Sequence, residues 1–169
     1  YRGCGVAISK SPNGPWVRYG DTQIIYPSKD SWDSESCDDV TVLYKDGKWL
    51  MYYKGKTLGT NPSETMVGLA TSDCITGPYT KYENNPLIEG HPFAIWPYKN
   101  GFLYLAGLDD KKPDNNDDDY WEEGKRSLFW SKDGMKFAPC CEFPNMSTGV
   151  FTRTICDGSQ NDITKFWGL

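Results

Sequence analysis

Apolar and polar residues alternate in short runs along this chain, and turn residues separate the runs. Within 42–53, two apolar runs flank Asp46-Gly47, a pair that favours a tight β-hairpin turn because both central positions of that turn need a positive φ. Residues 96–105 repeat the arrangement around Asn100-Gly101. No long segment carries apolar residues at helical spacing. The pattern therefore predicts an all-β protein built from antiparallel hairpins.

One segment recurs along the chain at an offset of 63 residues without a gap. Residues 5–16 (GVAISKSPNGPW) match residues 68–79 (GLATSDCITGPY), and a weaker third copy occupies 128–137. A long-period repeat of short strands is typical of β-propeller blades, which have four antiparallel strands each. A β-sandwich is the alternative, since it also joins short strands by closely spaced turns.

We therefore predict a single partial β-propeller domain over 1–169, about three blades of a five-bladed propeller. The blades lie roughly at 1–35, 36–90 and 91–145, with a closing strand at 146–169. Propellers typically close with about four to eight blades, so the missing blades would come from the same chain or from copies in a homo-oligomer. The first residue is Tyr rather than Met, which favours a processed or truncated start.

Charge narrows the classes of function. The chain has 18 basic and 23 acidic residues, a formal net charge of −5. The acidic run at 109–123 alone carries −6, from eight Asp or Glu and two Lys, so the remaining chain is near +1. Phosphate binding requires clustered basic residues, and we expect no nucleic-acid partner. No apolar run approaches the ~18 residues of a membrane span, and we expect no membrane partner.

Six cysteines in a short chain with no CxxC and one His are compatible with disulfide bonds and an oxidising compartment. We therefore expect a secreted protein, extracellular or periplasmic. The acidic run at 109–123 could supply oxygen ligands for a structural calcium, but it lacks the Gly and terminal Glu spacing of a calcium loop. We predict no cofactor and no catalytic metal.

Residues 38–55 (DDVTVLYKDGKWLMYYKG) resemble a blade opening in the five-bladed propeller glycosidases, namely glycoside hydrolase families 43 and 117. Residues 68–79 are similar to the stretch that follows in those families, and 90–101 (GHPFAIWPYKNG) resembles family 117 in particular. The resemblance implies an inverting, exo-acting enzyme with its pocket on the propeller axis and an oligosaccharide substrate. In family 117 the released sugar is 3,6-anhydro-L-galactose; an arabinose-like sugar is the alternative.

The resemblance also implies two catalytic residues. By position, Asp39 matches the second Asp of these families and His91 matches the acid of family 117. Glu89 is the alternative acid if the family 43 pattern applies, and the base would lie upstream of Tyr1. Inverting hydrolysis needs an acid and a base on opposite faces of the sugar, and imidazole titrates near neutral pH. The plainer interpretation is that Asp39 and His91 are polar loop residues.

Five further residues are candidates for substrate binding. Trp32, Trp96 and Tyr98 could stack on the C–H faces of sugars, and Lys54 and Arg153 could pair with carboxylates in the pocket. With 7 Trp, 11 Tyr and 7 Phe in the chain, most aromatic side chains must serve packing instead.

Two positions depart from the families. Val40 stands where they usually have Pro after the second Asp, and Pro92 stands where family 117 commonly has an acidic residue after its His. Both departures favour an alternative function, a catalytically inactive propeller that binds glycan or has a structural role in an extracellular assembly.

Overall fold

The computed structural model describes residues 1–61, 64–107 and 126–143, with the backbone alone at 91–93, 106–107, 126–127 and 141–143. This part of the chain contains strands and no helix, and hence no helix that could cross a membrane. The strands are β1 (Val6–Ile8), β2 (Val17–Tyr19), β3 (Ser36–Lys45), β4 (Lys48–Lys56), β5 (Thr65–Ser72), β6 (Thr80–Lys81), β7 (Ile88–Glu89), β8 (His91–Tyr98), β9 (Gly101–Gly107), β10 (Arg126–Ser131) and β11 (Ala138–Phe143).

The strands form three antiparallel sheets that follow one another along the chain. The ribbon consists of β1 and β2, and the central sheet runs β3-β4-β5, with β6 and β7 both paired to the outer edge of β5. The last sheet runs β8-β9-β10-β11. The first strands of the two larger sheets, β3 and β8, contact each other. These meanders confirm the predicted fold class, an all-β partial β-propeller.

The 63-residue repeat is visible in the strand pairing. Adding 63 to each residue number converts the register of β1 with β2 into that of β5 with β6. The turn that follows β1 recurs after β5. Gly14 and Gly77 have φ values of 84° and 85°, and each donates its N–H to the carbonyl three residues earlier. The ribbon therefore corresponds to the last two strands of a blade.

The two predicted hairpin turns have different outcomes. Asp46 and Gly47 connect β3 to β4 with φ values of 52° and 81°, as predicted. The predicted turn at Asn100-Gly101 is wrong by one residue, because Tyr98 pairs with Gly101 and the turn residues are Lys99 and Asn100. Gly101 instead permits a close approach, since a Cβ there would lie 2.3 Å from the backbone oxygen of Ser131.

Apolar side chains cover both faces of the central sheet. One face packs against the last sheet, and the other packs against residues that precede β3. The first cluster comprises Leu43, Tyr52, Val67 and Leu69 with Ile95, Phe102, Tyr104 and Phe129, and the second comprises Ile25, Cys37, Met51, Tyr53 and Ala70. Burial on both faces explains why the strands of this sheet are more continuously apolar than an alternating pattern requires.

Three of the cysteine side chains that the structure describes are free thiols, which does not support the predicted disulfides at these positions. They are Cys4, Cys37 and Cys74. The Cys37 thiol is buried and donates to Asp33 Oδ2 at 3.4 Å. Desolvation raises the pKa of Cys37 to about 12 and that of Cys4 to about 11. Both thiols are therefore protonated at neutral pH, and secretion stays a prediction.

Candidate active site

The first residues of β3 and β8 lie at the same end of the central sheet. Ser36 of β3 pairs with Lys56, which pairs in turn with Thr65 of β5. Gly90 donates its N–H to the Thr65 carbonyl at 2.9 Å, so β8 begins at His91 directly beyond this end. We call this edge, where β3 and β8 begin, the site end.

β3 contains a β-bulge two residues after it begins. Its pairing to β4 passes from Asp38–Lys54 directly to Thr41–Tyr52, so that residues 39–40 face a single residue of β4. Bulges bend the strand and re-aim side chains, and they are common beside active sites. The bulge therefore changes the direction of the side chain at Asp39.

β8 has a corresponding bulge. His91 pairs with Gly107 and Pro92 with its neighbour, and one extra residue then precedes Ala94. The two hairpins can be aligned on the pairs that close their turns, Lys45–Lys48 and Tyr98–Gly101. In this alignment, each residue of β8 is numbered 53 higher than the corresponding residue of β3. His91 thus occupies in β8 the position that Asp38 occupies in β3.

The bulge in β3 brings two successive carboxylates to one ammonium group. Asp39 has a φ of 48°, a left-handed conformation that Asp tolerates better than most residues. The Lys54 ammonium donates a hydrogen bond to Asp39 Oδ2 and lies 3.3 Å from Asp38 Oδ1. In a regular strand, side chains at successive positions point to opposite faces, so this convergence depends on the bulge.

Asp39 is the most accessible carboxylate of this group. Its side chain is 46% exposed, whereas those of Asp38 and Lys54 are 19% and 15% exposed. The Arg2 guanidinium lies 3.7 Å from Asp38 and 3.9 Å from Glu35. Of the carboxylates that Lys54 contacts, Asp39 is therefore the one open to a ligand.

Glu35 completes the charged cluster. Lys56 donates a hydrogen bond to the Glu35 carboxylate, and this bond is the main reason why the pKa of Glu35 lies below its usual value. The charged cluster, as we define it, has three anions and three cations: Glu35, Asp38, Asp39, Arg2, Lys54 and Lys56. The formal charges of these six groups sum to zero.

A fully buried carboxylate fixes the connector from β2 to β3. Asp33 Oδ2 accepts hydrogen bonds from Lys81 at 2.5 Å, Tyr53 at 3.2 Å and Cys37 at 3.4 Å. Desolvation raises the pKa of Asp33, but the hydrogen bond and charge of Lys81, with further hydrogen bonds from Cys37 and Ser28, keep it below the usual value. No motif in the sequence marks Asp33, since its partners come from distant strands.

Two of the predicted aromatic residues make packing contacts. Trp32 stacks on Tyr53 with ring centroids 5.5 Å apart, and its ring covers Gly55 and Gly68 so closely that a Cβ at either would lie within 2.7 Å. Trp96 is 1% exposed and belongs to a core cluster. Trp96 therefore serves packing within the described residues, and its role in stacking on a sugar stays a prediction.

The remaining predicted residues are spread more widely. Glu89 lies exposed on β7 at the site end, with β4 and β5 between it and β3. Tyr98 ends β8, about 23 Å along the strand from His91 at ~3.3 Å per residue, and its ring lies under the Lys99 ammonium. Arg153 and the acidic run at 109–123 fall outside the described residues. Of these predicted residues, the structure brings Asp39 and Lys54 into contact. His91 begins β8 at the same end of the central sheet, and Tyr98 lies at the other end of that strand.

Within the described ranges, no three His, Cys, Asp or Glu side chains form a group that could hold a metal ion. The charged cluster pairs its carboxylates with cations instead, and such an arrangement can orient an acceptor for hydroxyl groups. The chemistry that the site end can supply is therefore hydrogen bonding by an accessible carboxylate and, from the side chain type at 91, proton transfer.

The chain is similar to the solved structure of a family 117 glycoside hydrolase produced by the marine bacterium Zobellia galactanivorans, with 28% sequence identity and a TM-score of 0.69. The similarity covers 88% of this chain but 39% of that enzyme. No protein-family model and no curated protein matches the chain. The predicted resemblance to family 117 is thereby confirmed.

Proposed function

We propose that this chain is part of a glycoside hydrolase that removes a terminal sugar from oligosaccharides of algal or plant polysaccharides with inversion of configuration. The observation that carries the proposal is the accessible Asp39 carboxylate, bound to Lys54 near the start of β3, in a chain similar to a family 117 hydrolase. The sugar we propose is 3,6-anhydro-L-galactose-like, with an arabinose-like sugar as the second choice. Such substrates place the enzyme outside the cell or in the periplasm.

Each residue has a defined role in this proposal. His91 donates the proton to the leaving oxygen, and Asp39 accepts hydrogen bonds from sugar hydroxyls and supports the protonated imidazole. Lys54 keeps the Asp39 carboxylate in one orientation. The base that activates water would come from a part of the protein outside residues 1–169, at ~6.5–9.5 Å from the acid.

The test is hydrolysis of agar and arabinan oligosaccharides by the full native protein, with the configuration of the released sugar followed by NMR. We expect Asp39→Asn and His91→Ala to lower kcat/KM by about 10²–10⁴-fold, as for the loss of a positioned proton donor or its partner. Asp73→Asn is the matched control, since Asp73 forms an exposed ion pair with Lys48 and should retain full activity.

The alternative function predicts a different result in the same assay. If the native protein binds these oligosaccharides in calorimetry but does not hydrolyse them, the protein is an inactive glycan-binding propeller, as the departures at Val40 and Pro92 favour. Absence of both binding and hydrolysis across agar and arabinan fragments would overturn both forms of the proposal.

A further inference from the structure

Asp38 has a place in the site that the sequence did not assign. Lys54 and Tyr52 are two residues apart in the regular strand β4 and share a face, and Tyr52 belongs to the cluster that packs against the last sheet. Asp38 lies opposite Lys54 in the ladder, so it points to that face as well. The Asp38–Lys54 pair thus lies between the two sheets, at the end where β8 begins.

The contacts of Asp38 are electrostatic. Its Oδ1 is buried and accepts no hydrogen bond in the described part of the chain, yet it lies 3.3 Å from the Lys54 ammonium. Its Oδ2 faces the Arg2 guanidinium at 3.7 Å. A carboxylate that is largely removed from water needs a nearby cation, and Lys54 is the nearest.

Lys54 is shared between this carboxylate and Asp39, which is the accessible one. We propose that Asp38 is a positioning residue that acts on Asp39 through Lys54, by fixing the ammonium in place and by competing for its charge. The inference rests on the proposed function for its effect on hydrolysis, but not for its effect on the ionisation of Asp39.

The proposal predicts effects of opposite sign from two substitutions. Asp38→Asn removes an anion that competes with Asp39 for the Lys54 charge, so that Asp39 should ionise at a lower pH. Lys54→Met leaves two adjacent carboxylates without the cation between them, so that Asp39 should ionise at a higher pH. Other charged groups of the same cluster are Arg2, which reaches Asp38, and the Glu35–Lys56 pair, and the proposed function adds the imidazole of His91.

The experiment follows the carboxyl carbon of Asp39 by ¹³C NMR through a pH titration of the full native protein and the two variants. We expect the pKa of Asp39 to change by about one unit or more, downward in Asp38→Asn and upward in Lys54→Met. If the protein hydrolyses oligosaccharides, the acidic limb of kcat/KM should move in the same directions. Lys54→Arg keeps the charge, so that the pKa of Asp39 should shift less than in Lys54→Met.

The matched control is the Lys48–Asp73 pair, which joins β4 to the residue after β5 at 2.5 Å but is exposed. Lys48→Met and Asp73→Asn change the charge by the same amounts and should leave the titration of Asp39 unchanged. If Lys54→Met does not fold, Lys54→Gln replaces it, with folding checked by circular dichroism.

The outcomes separate the inference from the proposed function. If the pKa of Asp39 changes in the same direction in Asp38→Asn and Lys54→Met, or does not change, the role of Asp38 is overturned whether or not the protein is a hydrolase. Opposite shifts in a protein without hydrolytic activity would support the role of Asp38 while the proposed function fails.

Discussion

At the scale of single residues, Asp33 illustrates how an ionised group is accommodated in the interior. The side chain is 1% exposed, but Lys81, Tyr53 and Cys37 all donate to its Oδ2. The Lys81 ammonium also donates to the Tyr26 carbonyl at 2.5 Å and to Ser28 at 2.8 Å. These bonds tie the connector before β3 to β6, and thereby fix the start of the strand that carries Asp39.

Asp33→Asn should lower the free energy of unfolding of the native protein by about 2–4 kcal/mol at pH 7, because it leaves the Lys81 charge without its partner. The pKa of Asp33 is lower in the folded state, so its contribution is present above the unfolded pKa of ~3.9 and is lost as the pH falls towards the folded value. Urea denaturation at several pH values measures this difference.

The matched control for this prediction is Asp73→Asn, which should change stability by less than about 1 kcal/mol because both members of its ion pair are exposed. A stability loss for Asp33→Asn that is equally large at pH 3 and pH 7 would contradict the electrostatic explanation.

The sequence predicted some site residues and missed others for a physical reason. Asp39 and Lys54 were predicted, and the structure brings them into contact. The convergence of Asp38 on the same ammonium could not be predicted, because strict alternation assigns Asp38 and Asp39 to opposite faces and only the bulge overrides it. Asp33 was missed because Lys81 is 48 residues away.

At the scale of strands and turns, the sequence predicted the correct turn residues in one hairpin and not in the other. Asp46-Gly47 forms its turn as predicted, with both φ values positive. Gly101 is a glycine because β9 approaches the end of β10 closely, a contact between segments about thirty residues apart in sequence. From the sequence alone, a glycine that a turn requires cannot be distinguished from a glycine that close packing requires.

Gly101→Ala should therefore destabilise the last sheet. The new Cβ would lie 2.3 Å from the Ser131 carbonyl oxygen, and relieving such a clash by moving backbone typically costs about 1–3 kcal/mol. Thermal unfolding of the native protein measures the loss. Gly5→Ala is the control, since a Cβ at Gly5 meets nothing within 4 Å and its melting temperature should stay near wild type; equal melting temperatures for both variants would contradict the clash.

At the scale of the whole molecule, the central and last sheets pack together through side chains whose contacts the local sequence does not predict. Leu43 and Tyr52 pack with Ile95 and Phe102 across the two sheets. The 63-residue repeat predicted the fold class, since each blade reuses one register. It did not predict which side chains meet between blades, because those contacts depend on residues that differ from copy to copy.

A buried hydrogen bond gives a test of this junction. Tyr52 Oη donates to the Gly134 carbonyl at 2.9 Å, from the central sheet to the turn that follows β10. Tyr52→Phe should cost about 1–3 kcal/mol in urea denaturation, because the carbonyl loses its donor inside the junction. Tyr44→Phe, at an exposed position of the same sheet, should cost less than about 0.5 kcal/mol. Equal costs would show that the junction does not depend on this bond.

The bulge in β3 has a consequence for how such a protein can change over generations. Loss of the single codon for Val40 would restore an unbroken ladder, in which Asp39 faces Tyr53 and points away from Lys54. The apolar pairs beyond the bulge would keep their partners, but the Asp39 carboxylate would turn to the face that carries the buried Tyr53. One triplet of DNA therefore separates a strand that presents two carboxylates to Lys54 from one that presents a single carboxylate.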